Sequence, residues 1–356
     1  MSYFRRHIDA LDGYVPGEQP TDPTVTKLNT NENPYPPSPK VIEAIQAITP
    51  DQLRRYPDPL GNRFRTAAAE VFDVSPDMII CGNGMDDILN LAVRAFSGPE
   101  ATLVYPTPTY SLYAVLANIE ASLVKEVNFP EGYALPVDEL VDADGRVTFV
   151  ANPNAPSGTL APVEQMADLA DRLKGVLVVD EAYVDFADRT CMPLVKQYDN
   201  VLVFRTMSKG YSLAGVRFGF GVGSEPLIAG LMKVKDSYNV DALSVAAAAA
   251  AIRDQNYARA GWEKVRAERA RLTPALERLG LGVLPSHANF LLARHPAAKM
   301  LFNDLKARKI LVRYFDHPRL ADRLRITIGT PEQNDILLQA LGDIMATQNQ
   351  AGASRG

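Results

Sequence analysis

Between residues 40 and 235, helical stretches alternate with short runs of β-branched and aromatic residues bounded by Gly, Pro, Asn or Asp. The runs Met78–Cys81, Thr102–Tyr105, Val147–Ala151, Val176–Asp180, Val201–Thr206 and Phe218–Val222 predict strands. Strand–helix alternation of this kind predicts an α/β unit, a mainly parallel sheet covered by helices on both faces. Residues 1–40 are punctuated by Pro, Asn, Gly and Thr and predict a loop-rich arm. From about 241 to 279 an alanine-rich helical stretch runs to Gly280. Beyond it, Asn289–Ala293, Ile310–Arg313 and Leu324–Ile328 predict short strands among helices. The expected organisation is an arm (1–40), a large domain (41–240), and a linking helix with a smaller α+β domain (241–356). The polar segment after Thr347 is expected to fray.

Composition narrows the classes. A chain of 356 residues with 47% apolar and 22% charged residues is an ordinary soluble globular protein. Its net charge of −5 argues against a nucleic-acid partner, which calls for a basic face. The longest apolar run, Ala242–Ile252, is too short to span a bilayer, and the N-terminus has no secretory apolar core. Two cysteines, Cys81 and Cys191, make no disulfide framework and fit a reducing compartment, so a cytoplasmic protein is expected. His7, His287, His295 and His317 have no metal-ligand spacing. Gly219-Phe220-Gly221-Val222-Gly223 lacks the glycine placement of a dinucleotide fingerprint.

In a mainly parallel sheet the ligand sits beyond the carboxyl ends of the strands. Gly82-Asn83-Gly84, Asn152-Pro153, Asp180, Thr206 and Lys209 all fall there. Asp180 ends an apolar strand, where a buried carboxylate needs a cation; alone it also reads as a helix N-cap. Tyr183 follows three residues later. Lys209, in Ser208-Lys209-Gly210, offers an amine in a tight turn, while Ser208 and Arg217 offer a hydroxyl and a guanidinium to a phosphate. Gly84-Met85-Asp86-Asp87 opens a helix whose N–H groups form an anion site. Tyr110 follows a strand and is placed to stack on a planar ring. No one of these signals is specific. Together they supply what pyridoxal phosphate asks of a protein: an acid for the ring nitrogen, a phenol for the ring oxygen, an amine and a phosphate cup.

These motifs resemble the fold-type I pyridoxal-phosphate aminotransferases, and more narrowly the histidinol-phosphate aminotransferases. The likeness runs through Leu28-Asn29-Thr30-Asn31-Glu32-Asn33-Pro34, Arg55-Tyr56-Pro57-Asp58-Pro59, Gly82-Asn83-Gly84-Met85-Asp86, Pro108-Thr109-Tyr110, Asp180-Glu181-Ala182-Tyr183, the Lys209 segment, Tyr238-Asn239-Val240, His287-Ala288-Asn289-Phe290 and Leu324-Arg325-Ile326-Thr327-Ile328-Gly329. It implies that Lys209 is the Schiff-base lysine, Asp180 the partner of the pyridinium nitrogen, Tyr183 the ligand of the ring oxygen and Tyr110 the stacking ring. It implies a phosphate cup of Ser208, Arg217 and the backbone at Met85-Asp86, with Gly84 and Thr206 beside it. Tyr56 is expected to reach the cofactor phosphate of a neighbouring subunit, which makes the active unit a homodimer with shared sites. Arg325, helped by Arg313 and Tyr14, is expected to hold the substrate's anionic end.

One departure stands in Asn152-Pro153-Asn154-Ala155-Pro156-Ser157-Gly158. Ala155 occupies the place where the family carries an asparagine on the ring oxygen. The resemblance leaves Asn154 or Asn152 to substitute, or Tyr183 to act alone, and Asn154 is taken as the candidate. The implied reaction is transamination of L-histidinol phosphate with 2-oxoglutarate. An aromatic amino-acid transaminase, a threonine-phosphate decarboxylase and a non-enzymatic cofactor-sensing domain are the other readings.

Overall fold

The computed structural model describes residues 2–14 and 16–353, with side chains to Thr347. Seven strands form the large sheet in the order Ile79–Gly82, Gly219–Gly223, Val201–Thr206, Val176–Asp180, Val147–Ala151, Thr102–Thr107 and Leu123–Asn128. Only Gly219–Gly223 runs against its neighbours. The period-two alternation of strand side chains divides the apolar residues between two layers. Leu177 and Val179 pack on one face with Val201, Val203 and Phe220, and Val178 on the other with Leu202, Phe204 and Phe149. Asp180, Thr206 and Ala151 end three adjacent strands at one rim.

A second apolar cluster belongs to a smaller unit around the four-stranded sheet Arg313–Tyr314, Arg323–Thr327, Phe290–Arg294 and Gly282–Val283. Here the sequence reading needs three corrections. Ile310–Arg313 is not one strand: Ile310–Leu311 pairs with Thr26–Lys27, whereas Arg313–Tyr314 pairs with Arg323–Thr327. The arm is therefore not all loop, since Thr26–Lys27 is a strand and Leu28, Asn29 and Asn31 are buried against this unit. The stretch 241–279 is two helices, Ala242–Arg253 and Gln255–Arg278. Asp254 breaks it (ψ 56°) with its carboxylate taken by Ser38 Oγ at 2.6 Å and Lys40 Nζ at 3.0 Å.

The last helix, Pro331–Ala353, continues past Thr347, where fraying is expected; Gln and Ala in that stretch are good helix formers. Residues 354–356 of that tail lie outside the described residues. Among the described residues no helix is long and apolar enough to cross a membrane, and no cluster of His, Cys, Asp and Glu is arranged to hold a metal.

The rim is braced by a buried ion pair. Glu181, next to Asp180, accepts Arg205 Nε and Nη2 at 2.9 and 2.8 Å and Thr190 Oγ1 at 2.9 Å, and the guanidinium lies 4.9 Å from the Phe72 ring. Removing one partner of such a pair leaves the other charge desolvated and unmatched. Glu181→Ala should therefore destabilise the protein by about 3–5 kcal/mol in chemical denaturation. A loss of ~1 kcal/mol or less, as for an exposed pair, would refute the bracing role.

Candidate functional site

A cavity of 760 Å³ opens at the carboxyl ends of the large-sheet strands and reaches to the smaller unit. Lys209, Asp180, Tyr183, Met85, Asp86, Tyr110, Thr206, Ser208, Arg217, Tyr14, Arg313 and Arg325 all line it. Residues far apart in sequence therefore meet around one cavity at the strand ends.

One end is an anion cradle. Gly84 turns the chain with φ +80°, and the helix Met85–Phe96 begins there, leaving its first N–H groups without intrahelical partners. A Cβ on Gly84 would fall 2.6 Å from Arg217 Nη2, so the glycine lets the guanidinium lie against the turn. Gly219 does the same for the sheet, since a Cβ there would stand 2.4 Å from Met85 N. Arg217 Nη1 donates to Ser208 Oγ at 3.4 Å, and Nη2 lies 3.4 Å from Asp86 Oδ2. Thr206 Oγ1 accepts Ser208 N at 3.1 Å and holds that loop in place.

Asp180 is buried at the end of its strand. Its Oδ2 accepts Tyr113 Oη at 2.5 Å and its Oδ1 accepts Ala182 N at 3.0 Å. Burial pushes the carboxyl up to about 6, and the two donors hold it back from going further. Tyr113 is wholly buried, and burial beside this carboxylate drives its phenol well above the usual range. The sequence reading missed Tyr113. Its one signal is its place one helical turn after Tyr110, which gives no hint of what it touches.

Lys209 Nζ donates to Thr30 O at 3.0 Å and stands 5.9 Å from the centre of the Tyr183 ring. Burial lowers the ammonium to about 8; Glu32 opposes the shift, while Arg325 and Arg217 add to it. Tyr183 Oη accepts Asn31 Nδ2 at 3.0 Å, and its ring meets Phe290 edge-on. Tyr110 Oη donates to Asp86 Oδ1 at 3.1 Å, and the Tyr14 ring meets it edge-on at 6.0 Å. Thr30 and Asn31 also escaped the sequence reading as site residues, although they lie inside the Asn-rich segment of the resemblance.

The opposite end is cationic. Arg325 Nη2 donates to Asn29 O at 3.0 Å, and its guanidinium lies 5.3 Å from the Phe290 ring and 5.4 Å from the Phe315 ring. Its buried Nε has no partner among the described residues, and burial lowers its pKa. Arg313 lies 5.6 Å from the Phe315 ring. A buried nitrogen such as Arg325 Nε is costly to leave without a partner.

Three candidates do not line the cavity. Gly84 acts through its backbone. Asn154 sits behind the wall, where Oδ1 accepts Thr109 Oγ1 at 2.9 Å and Nδ2 donates to Ser157 Oγ at 2.8 Å and Pro108 O at 3.3 Å. Asn152 is likewise committed to the Ala161 backbone. With their amides committed inside the loops, neither reaches past Ala155, which itself lines the cavity. Tyr56 is 80% exposed and stacks on Tyr238 at 4.5 Å.

The family model for class I and II aminotransferases matches residues 23–341. Histidinol-phosphate aminotransferase 1 of Trichormus variabilis is 52% identical over 97% of this chain and 99% of its own. The histidinol-phosphate aminotransferase of Citrifermentans bemidjiense is 45% identical over 97% and 99%. The crystal structure of the histidinol-phosphate aminotransferase from Sinorhizobium meliloti, in complex with pyridoxal-5'-phosphate, superimposes with a TM-score of 0.90 at 26% identity, covering 98% of this chain and 99% of that one. This chain therefore belongs to the class I and II aminotransferases and, within them, to the histidinol-phosphate aminotransferases.

Proposed function

We propose that this protein is a pyridoxal-phosphate-dependent aminotransferase that moves the amino group of L-histidinol phosphate to 2-oxoglutarate, giving imidazole-acetol phosphate and glutamate. The observation that carries the reading is one cavity with two cationic ends, one beside a half-buried amine and a buried carboxylate and one at Arg325. The donor set fits the cofactor: Asp180 is a buried carboxylate with no cation beside it among the described residues, and the helix that begins at Met85 has no side-chain cap at Gly84.

Pyridoxal phosphate, when bound, supplies an electron sink that lets a proton leave the carbon bearing the substrate amine. Met85 N, Asp86 N, Ser208 Oγ and Arg217 would hold its phosphate, with Thr206 setting the Ser208 loop. Tyr110 would stack on the ring. Asp180 Oδ2 or Oδ1 would keep a proton on the ring nitrogen, which is the cation this carboxylate lacks. Tyr183 would donate to the ring oxygen. Lys209 Nζ would anchor the cofactor at rest and, once released, carry the proton between substrate Cα and cofactor C4′. An amine lowered to about 8 retains a free-base fraction at neutral pH, which suits that transfer. Arg325, Arg313 and Tyr14, which line the cavity, would take the substrate phosphate.

The working unit in this reading is a cytoplasmic homodimer. Tyr56, Leu53, Leu60 and Leu243 are exposed apolar side chains, and Tyr56 stands outside its own chain's cavity, where it would be free to serve a second subunit's phosphate.

The decisive experiment is a half-reaction. Protein loaded with pyridoxal phosphate and mixed with L-histidinol phosphate should lose its lysine-linked band and gain that of the amino form, and 2-oxoglutarate should reverse the change. No conversion by histidinol phosphate, but conversion by phenylalanine, would move the protein to an aromatic substrate. Lys209→Ala should abolish the lysine-linked band and lower turnover by at least ~10²–10⁴-fold, the usual worth of a positioned proton carrier. Unchanged turnover would remove Lys209 from its role. Arg325→Ala should raise the KM for histidinol phosphate by about 10–100-fold, as loss of a charge-assisted contact does, with a smaller effect on kcat. An unaltered KM would take the substrate phosphate elsewhere.

A further inference from the structure

We propose that Asn31 is the positioning residue of this site's phenol: its amide fixes the Tyr183 hydroxyl as a donor into the cavity, on a wall where Ala155 offers no hydrogen bond. The inference rests on the reading of the cavity as a pyridoxal-phosphate site.

Asn31 is buried, with left-handed backbone (φ 59°) that asparagine tolerates better than most residues. Three bonds to the smaller unit hold it: Asn31 N donates to Thr327 Oγ1 at 3.1 Å, Thr327 Oγ1 donates to Asn31 Oδ1 at 3.0 Å, and Asn289 Nδ2 donates to Asn31 O at 2.9 Å. These bonds decide which way the amide faces. Thr327 Oγ1 already accepts Asn31 N, and its one proton has no other acceptor among the described residues than Asn31 Oδ1. The amide NH₂ therefore faces Tyr183 Oη, 3.0 Å away.

A phenol that accepts one hydrogen bond keeps its own proton for another. Tyr183 Oη has no acceptor among the described residues, and the residue lines the cavity, so that proton is left for a ligand oxygen. Burial raises the pKa of this phenol, and Arg325 together with the incoming bond from Asn31 draws it back. A more acidic phenol in a polarised chain is a stronger donor. Position 155, where an amide could share the task, carries a methyl group packed with Ala288, Phe290 and Tyr183.

The prediction follows from charge on the ring oxygen. A donor there competes for the oxygen's negative charge and makes the imine proton of the lysine-linked cofactor easier to remove. Weakening the donor must move that spectroscopic midpoint to higher pH. Absorbance titration of the loaded protein should give an upward shift of about half a unit to one unit in Asn31→Ala, the size that one neutral hydrogen bond supports. Asn31→Asp keeps the oxygen that accepts Thr327 but turns an acceptor toward Tyr183, which would pull the phenol proton out of the cavity. Its shift should be at least as large, and it serves as the readout should Asn31→Ala not fold.

Tyr183→Phe should raise the midpoint on its own, and adding Asn31→Ala to it should add nothing, because Asn31 acts through the phenol. An unmoved midpoint in the folded Asn31 variants, or an equal shift with Phe at 183, overturns the proposal. Failure of the parent protein to form the lysine-linked band overturns the cofactor reading itself, so the two failures are distinguishable.

Discussion

A carboxylate at the end of a buried central strand costs free energy wherever nothing positive meets it. Asp180 is in that position: neighbouring strands enclose it, and its two oxygens are met by a phenol and one backbone N–H. Those donors moderate the cost of desolvation but do not neutralise a charge. Two cations of this rim serve other groups. Arg205 belongs to Glu181, and Lys209 is held by the Thr30 carbonyl. The surrounding fold conforms to this one unmet charge. The parallel strands bring the lysine loop and the anion-binding turn to the same rim, and the single reversed strand, through Gly219, lets that turn pack against the sheet.

The cationic half of the cavity mirrors this arrangement. The Arg325 guanidinium lies close to two aromatic rings, with its buried Nε unpartnered among the described residues, as Asp180 is buried without a cation. Opposite charges thus remain apart across one cavity instead of collapsing into an internal ion pair. Burial acts on both in the same sense, favouring the neutral state, and on Lys209 as well. Groups tuned in this way respond strongly to a ligand that brings complementary charge, and a phosphorylated pyridinium with a phosphorylated amine brings it at both ends.

How much of this was legible depended on the range of the interaction. Local pattern gave six of the seven large-sheet strands to within a residue or two, because buried β-branched runs are a local signal. Leu123–Asn128 escaped because it is an edge strand whose mostly exposed side chains show no buried face. Asp180, Tyr183 and Lys209 could be read because each stands at a strand end or in a glycine-flanked turn. Tyr113 and Asn31 could not, since each acts through a partner 67 or 152 residues away that no periodicity reveals. Asn154 misled for the reverse reason. Adjacency in sequence put it near the ring-oxygen position, but its amide turns inward to stitch two loops together.

The segment from Thr26 to Asn33 shows why an unpromising sequence can still be structural. Its two-residue strand extends the smaller unit, and its next residues reach across the cavity: Thr30 O to Lys209, Asn31 Nδ2 to Tyr183, and Asn33 Nδ2 to the carbonyls of Lys209 and Gly210. These bonds join the smaller unit to the two groups that would touch the cofactor. A shift of that unit relative to the large sheet must therefore strain or break them. Since Arg325 rides on the same unit and donates to Asn29 O, anion binding at Arg325 and the polarity of the Tyr183 phenol share a single short strap of backbone. Loop-like composition is what permits this, because a segment free of its own ladder has its polar groups available for others.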